Sequence, residues 1–67
     1  MRYVFRPSDA IKKTVGVFVA VPEGRRTRFG WIARVDHDHY LVRFPDGTAA
    51  RYLHEVCEAL DPQPVLK

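Results

Sequence analysis

From Val15 to Leu60 the hydrophobic positions tend to alternate with polar ones at a period near two, the spacing of strands that bury one face. Val15-Gly16-Val17-Phe18-Val19-Ala20-Val21 is a β-branched run closed by Pro22, and Pro22-Glu23-Gly24-Arg25-Arg26-Thr27-Arg28 reads as a polar, basic loop. Trp31-Ile32-Ala33-Arg34-Val35 and Tyr40-Leu41-Val42-Arg43-Phe44 flank the polar residues Asp36-His37-Asp38-His39, which predicts a hairpin. In Pro45-Asp46-Gly47 the proline presets φ and the glycine accepts positive φ, so a turn is expected there, with Thr48–Leu53 as the third strand of a meander. Leu53-His54-Glu55-Val56 is too short for a stable helix and suits one 3₁₀ turn; a last strand at Cys57–Leu60 is expected to stop at Asp61-Pro62. Upstream, Ser8–Lys13 fits either a helical turn capped by Ser8 or a loop, and the alternating Arg2-Tyr3-Val4-Phe5-Arg6 fits an added edge strand.

Turn lengths then assign faces. A four-residue loop at Asp36–His39 sets Val35 opposite Tyr40, Ala33 opposite Val42 and Trp31 opposite Phe44; a loop at Pro45–Gly47 sets Val42 opposite Ala50 and Tyr40 opposite Tyr52. That face is expected to be the core. The opposite face then carries Ile32, Arg34, Leu41, Arg43, Ala49 and Arg51, and a one-residue slip would exchange the two.

Sixty-seven residues leave room for one small domain and exclude doubly wound sheets and β/α barrels. A chain this short buries only about 60% of its unfolded surface, so self-association would supply useful burial. The single cysteine, Cys57, excludes an internal disulfide and points to a reducing compartment; with no apolar run of membrane-spanning length and a charged start, a cytoplasmic location is expected. The charge is uneven. Residues 1 to 35 hold eight bases against two acids, and the remainder three bases against six acids, within a net charge of +3.

The strand order, with Gly30–Val35, Tyr40–Gly47 and the Leu53-His54-Glu55-Val56 turn, resembles the SH3-like small β-barrels over residues 15–60, and most of all their Tudor-type members. The resemblance implies an all-β, five-stranded SH3-like barrel over residues 15–61, with residues 1–14 as an N-terminal extension and residues 62–67 as a tail. A more distant likeness is to the plasmid-encoded type II dihydrofolate reductases, but of their Val-Gln-Ile-Tyr motif only Tyr52 is present, in Ala49-Ala50-Arg51-Tyr52. Ala50 stands where that chemistry needs a glutamine, so the reductase activity is not expected.

Three classes of site follow. Arg25, Arg26 and Arg28 in the loop, with Arg34, Arg43 and Arg51 on the outer face, would neutralise the phosphates of DNA or RNA; in the expected register that face lacks aromatic stacking partners. Trp31, Tyr40 and Tyr52 would form a cage for a methylated ammonium, although the same rings are needed to fill a small core. Ile32 and Leu41 between arginines would form a protein or homo-oligomer interface. His37, His39, His54 and Cys57 do not have the spacing of a zinc site and imply no cofactor. Cys57 and His54 lack a third group or an oxyanion site, so a non-enzymatic binding module is expected, nucleic-acid-associated first and protein-binding second.

Overall fold

The turns that punctuate the sequence set the strand ends. In the computed structural model, which describes residues 2–64, β1 (Tyr3–Pro7), β2 (Phe18–Glu23), β3 (Arg26–Val35), β4 (His39–Arg43), β5 (Ala49–Leu53) and β6 (Glu58–Pro64) follow in order, with a 3₁₀ turn at His54–Val56. They pair antiparallel in one sheet of order β1-β6-β2-β3-β4-β5. The protein is all-β, as the alternation requires. The expected five-stranded barrel is corrected to six strands in an unclosed sheet, with β1 and β5 as its edges. Among the described residues no helix is long and apolar enough to cross a membrane.

The extra strand comes from the N-terminal segment, which pairs with β6 from Tyr3↔Pro64 to Pro7↔Leu60. β6 therefore runs through Asp61-Pro62, where it was expected to stop. Ladder alternation explains why. The Ser8 N–H donates to the Ala59 carbonyl at 3.0 Å, which makes that pair a hydrogen-bonded one; alternation then leaves Pro7, Pro62 and Pro64 at positions where the ladder asks for no N–H. Residues 3–7 and 62–64 thus belong to the sheet, and residues 65–67 of the expected tail lie outside the described residues. The Ser8 hydroxyl accepts from the Ala10 N–H at 3.3 Å in a turn, not at the start of a helix.

The expected basic loop at residues 22–28 is instead a tight hairpin. Glu23 pairs with Arg26, and Gly24 has φ +60° while Arg25 has no positive φ, the pattern of a type II′ turn with glycine first. Its basic residues therefore sit on the turn and on a ten-residue β3.

The central correction lies in β3. Val35 pairs with Tyr40, and Val42 with Ala50, as the loop lengths predict, but Ile32 rather than Ala33 pairs with Val42. A β-bulge between Ile32 and Arg34 inserts Ala33 as an unpaired residue, which exchanges the faces of β3 before it. Ile32 is 1% exposed and Trp31 42% exposed, the reverse of the expected assignment. The core is Val19, Val21, Ile32, Tyr40, Val42, Phe44 and Cys57, with Val17, Ala50 and Tyr52 packed against it. Each fully buried Val or Ile contributes about 1.5–3 kcal/mol relative to exposure. The register turns position 30 inward beside this core, where only glycine fits: a Cβ there would lie 2.5 Å from the Arg43 carbonyl oxygen.

Candidate functional site

With Ile32 inward, alternation turns Phe29 and Trp31 outward on β3. Trp31 lies between Phe18 of β2 and Arg43 of β4, and Arg43 pairs in turn with Ala49 of β5. The rings cluster around Phe18. Phe5 is 4.9 Å from it between centroids, Trp31 5.3 Å and Phe29 6.1 Å, the last nearly parallel at 14°. Phe5, Phe29 and Trp31 keep about half of their surface exposed while Phe18 is half-buried between them. This aromatic shelf occupies the face on which the sequence alone predicts no stacking partners. The sequence does carry a signal for it in Phe29-Gly30-Trp31, two large rings at same-face spacing around a glycine that fits only a crowded face.

The arginines divide into three environments. Arg25, Arg26 and Arg43 are exposed and have no carboxylate partner among the described residues. Arg34 and Arg51 lie in one cross-strand row on either side of Leu41 and share a single carboxylate, Asp36, at 3.2 and 3.4 Å. Exposed pairs of this kind are weak and leave both guanidinium groups accessible. Arg28 differs: its guanidinium donates to Glu23 at 3.3 Å, Asp46 at 3.0 Å and the Thr48 hydroxyl at 3.1 Å, and lies 3.8 Å over the Phe44 ring. It fastens the β2–β3 turn to the β4–β5 turn and closes the end of the core. The Thr48 hydroxyl donates to Asp46 at 2.6 Å and its N–H at 2.9 Å, and these bonds, with Arg28, hold the Asp46 carboxyl below the usual carboxylate range.

The three proposed cage residues do not converge. Tyr40 is buried and stacks on His54 at 4.1 Å, Tyr52 meets Phe44 edge-on at 6.2 Å, and Trp31 is on the other face of the sheet. Of the proposed interface pair, Leu41 is half-buried on the outer face and Ile32 is in the core.

His54 has a structural role. Its Nε2–H donates to the carbonyls of Asp36 and His39 at 3.1 and 3.2 Å, and its backbone N–H donates to the Asp38 carbonyl at 3.1 Å, which ties the hairpin loop to the 3₁₀ turn. Lys13 reaches the same turn and donates from Nζ to the carbonyls of His54 and Cys57 at 3.1 and 2.9 Å. His39 Nδ1 lies 2.6 Å from the Asp38 carboxylate, a contact that lowers the Asp38 pKa. Cys57 is buried, and burial pushes its thiol above the ordinary value, partly opposed by Lys13. Burial raises the Tyr40 phenol likewise. Among the described residues no group of three or more His, Cys, Asp or Glu side chains is placed to hold a metal ion. A shallow depression lined by Ala20, Val21, Pro22, Thr27, Val56 and Glu58 holds one carboxylate and no second titratable group.

The geometry that remains distinctive is therefore the outer face, on which the exposed rings of Phe29 and Trp31 lie beside the unpaired Arg43, with Arg34 and Arg51 sharing Asp36 further along the same sheet. No family model, no curated protein and no solved structure matches this chain.

Proposed function

We propose that the protein is a non-enzymatic, cytoplasmic binding module that takes up nucleic acid on its outer sheet face and β2–β3 hairpin. The observation that carries this reading is the imbalance of paired charge. Arg25, Arg26 and Arg43 lack carboxylate partners among the described residues, and Arg34 and Arg51 share one. Phosphates would supply the missing counter-charge at these five positions, and local clusters of positive charge attract a polyanion more strongly than the net charge of +3 suggests. Arg28 is held by two carboxylates and a ring, and acts here by fixing the two turns relative to each other.

The order β6-β2-β3-β4-β5, with a 3₁₀ turn between β5 and β6, supports keeping the comparison with SH3-like, Tudor-type modules as a matter of strand order. The lone, buried Cys57 fits a reducing compartment. The runner-up reading is a protein-interaction module or homo-oligomer, favoured by the open edge strands β1 and β5 and by Leu41 between arginines.

Retention on immobilised DNA and RNA between about 50 and 200 mM salt separates the two, because phosphate contacts weaken steeply over that range whereas an apolar seam does not. Arg25→Ala with Arg26→Ala should flatten the salt slope. Absence of salt-dependent retention on either polymer refutes the nucleic-acid reading.

A further inference from the structure

We infer that the shelf formed by Phe5, Phe18, Phe29 and Trp31 binds single-stranded nucleic acid by stacking unpaired bases, with Arg43 taking a backbone phosphate beside Trp31. This inference rests on the nucleic-acid reading above and adds to it the form of the ligand.

The first step concerns why these rings are outside. A domain of 67 residues has little apolar material, yet it leaves Phe5, Phe29 and Trp31 50%, 49% and 42% exposed on one contiguous patch. The sheet builds this patch from three separate strands, β1, β2 and β3, so it is a product of the fold and not of one greasy segment. An exposed cluster of this kind marks a surface that something covers.

The second step concerns what covers it. Large aliphatic side chains are few on the patch: Leu60, on the same face of β6, is buried, and the cross-strand neighbours of Phe29 and Arg43 are Ala20 and Ala49. Flat rings with small neighbours leave π faces accessible to other flat rings, and every nucleic-acid base has one. The charge is complementary as well, since Arg43 lies directly across the ladder from Trp31 with no carboxylate partner among the described residues. Glu58 lies on the same face, opposite Ala20, which is itself opposite Phe29. A carboxylate there opposes phosphate and should mark the end of the strand's path.

The third step selects single strands. In a duplex the base faces are occupied by their neighbours, and a sheet face cannot reach them without unstacking; a single strand presents them freely. Rings about 5–6 Å apart around Phe18 suit a short footprint of two or three consecutive bases.

Trp31 is the sole tryptophan, so the site carries its own reporter. The test is a titration of the full chain with a fluorophore-labelled oligothymidine of about ten nucleotides, the matching oligouridine and a duplex of equal length, following Trp31 fluorescence and label anisotropy together. The inference expects the single strands to bind at least tenfold tighter than the duplex with Trp31 quenched. Phe29→Ala should weaken single-strand binding by about 5- to 150-fold with the salt slope unchanged, Arg43→Ala should lower the slope by about 0.7, and Glu58→Gln should tighten binding. Circular dichroism checks that each variant is folded; Phe5→Ala, at a second exposed ring, repeats the test should Phe29→Ala unfold. Equal binding of duplex and single strand with Trp31 unquenched overturns the stacking inference and leaves the nucleic-acid reading intact. No binding of any probe at low salt overturns both. A Trp31 signal that depends on protein concentration alone, with a matching rise in sedimentation coefficient, overturns the inference in favour of a seam between two copies of this chain.

Discussion

Replacing Gly30 by alanine tests the β3 register on which the whole outer face depends. A Cβ at position 30 falls 2.5 Å from the Arg43 carbonyl oxygen, 2.9 Å from Val42 Cγ1 and 3.0 Å from Phe44 Cδ1. Ordinary contact begins near 3.4 Å, so the carbonyl would have to retreat by about 0.9 Å. It is a backbone atom of the residue paired with Trp31, and it cannot move that far without stretching the β3–β4 ladder. Overpacking of this kind costs about 1–3 kcal/mol, and the rigid obstacle puts Gly30→Ala near the upper end, even after about 0.4–1 kcal/mol gained by restricting the unfolded chain. A net loss of about 2 kcal/mol lowers the melting temperature of a domain this size by about 8–16 °C. Thermal and urea unfolding followed by circular dichroism would measure it. In the straight register, without a bulge at Ala33, position 30 faces solvent and a methyl there costs almost nothing. A stability change within about 0.5 kcal/mol would therefore refute the bulged register, and with it the outward placement of Phe29 and Trp31.

The same register predicts that Ile32→Ala destabilises by about 2–5 kcal/mol while Leu41→Ala costs about 1 kcal/mol or less, and urea midpoints in the reverse order would contradict it. Arg28→Lys should lose about 1–2 kcal/mol, because an ammonium cannot reproduce the fork that engages Glu23, Asp46 and Thr48 while lying on Phe44; full retention of stability by the lysine variant would show that only charge matters at that corner. Stability should fall in acid, where the lowered Asp38 and Asp46 carboxyls become protonated, stay level from above the carboxylate range up to about pH 9, the ordinary value for a thiol, and fall above it. Burial holds Cys57 and Tyr40 neutral in the fold, so each contributes fully below its unfolded pKa and loses that contribution as pH rises through the folded one. Cys57→Ala should move the onset upward, and a midpoint that stays flat to about pH 11 in the parent protein would rule out both groups as its cause.

What can be read along the chain and what cannot divide according to the distance over which each is fixed. The hairpin at residues 36–39, the turn at residues 45–47, the 3₁₀ turn and the Val42–Ala50 and Tyr40–Tyr52 pairs are written in local spacing and turn chemistry, and they are present as read. The Gly24-Arg25 turn was equally local, yet a glycine inside a run of charges reads as a loop until its φ of +60° and the Glu23–Arg26 pairing are seen. Long-range pairing supplied the rest. Tyr3–Pro7 becomes a strand because the far end of the chain offers β6 as a partner, and β6 passes through Pro62 because that partner needs no N–H there.

The sequence by itself determined an all-β chain, its meander and its uneven charge, since alternation, turn residues and charge counts are properties of neighbours. Which side of β3 faces the core was decided only in three dimensions. One unpaired residue, Ala33, fits Ile32 into the space between Val42 and the β2 side chains, and Gly30 beneath the Arg43 carbonyl, and it thereby moves Phe29 and Trp31 to the surface. A side-chain period of two makes such a choice all or nothing, and only the packing of the other strands can make it.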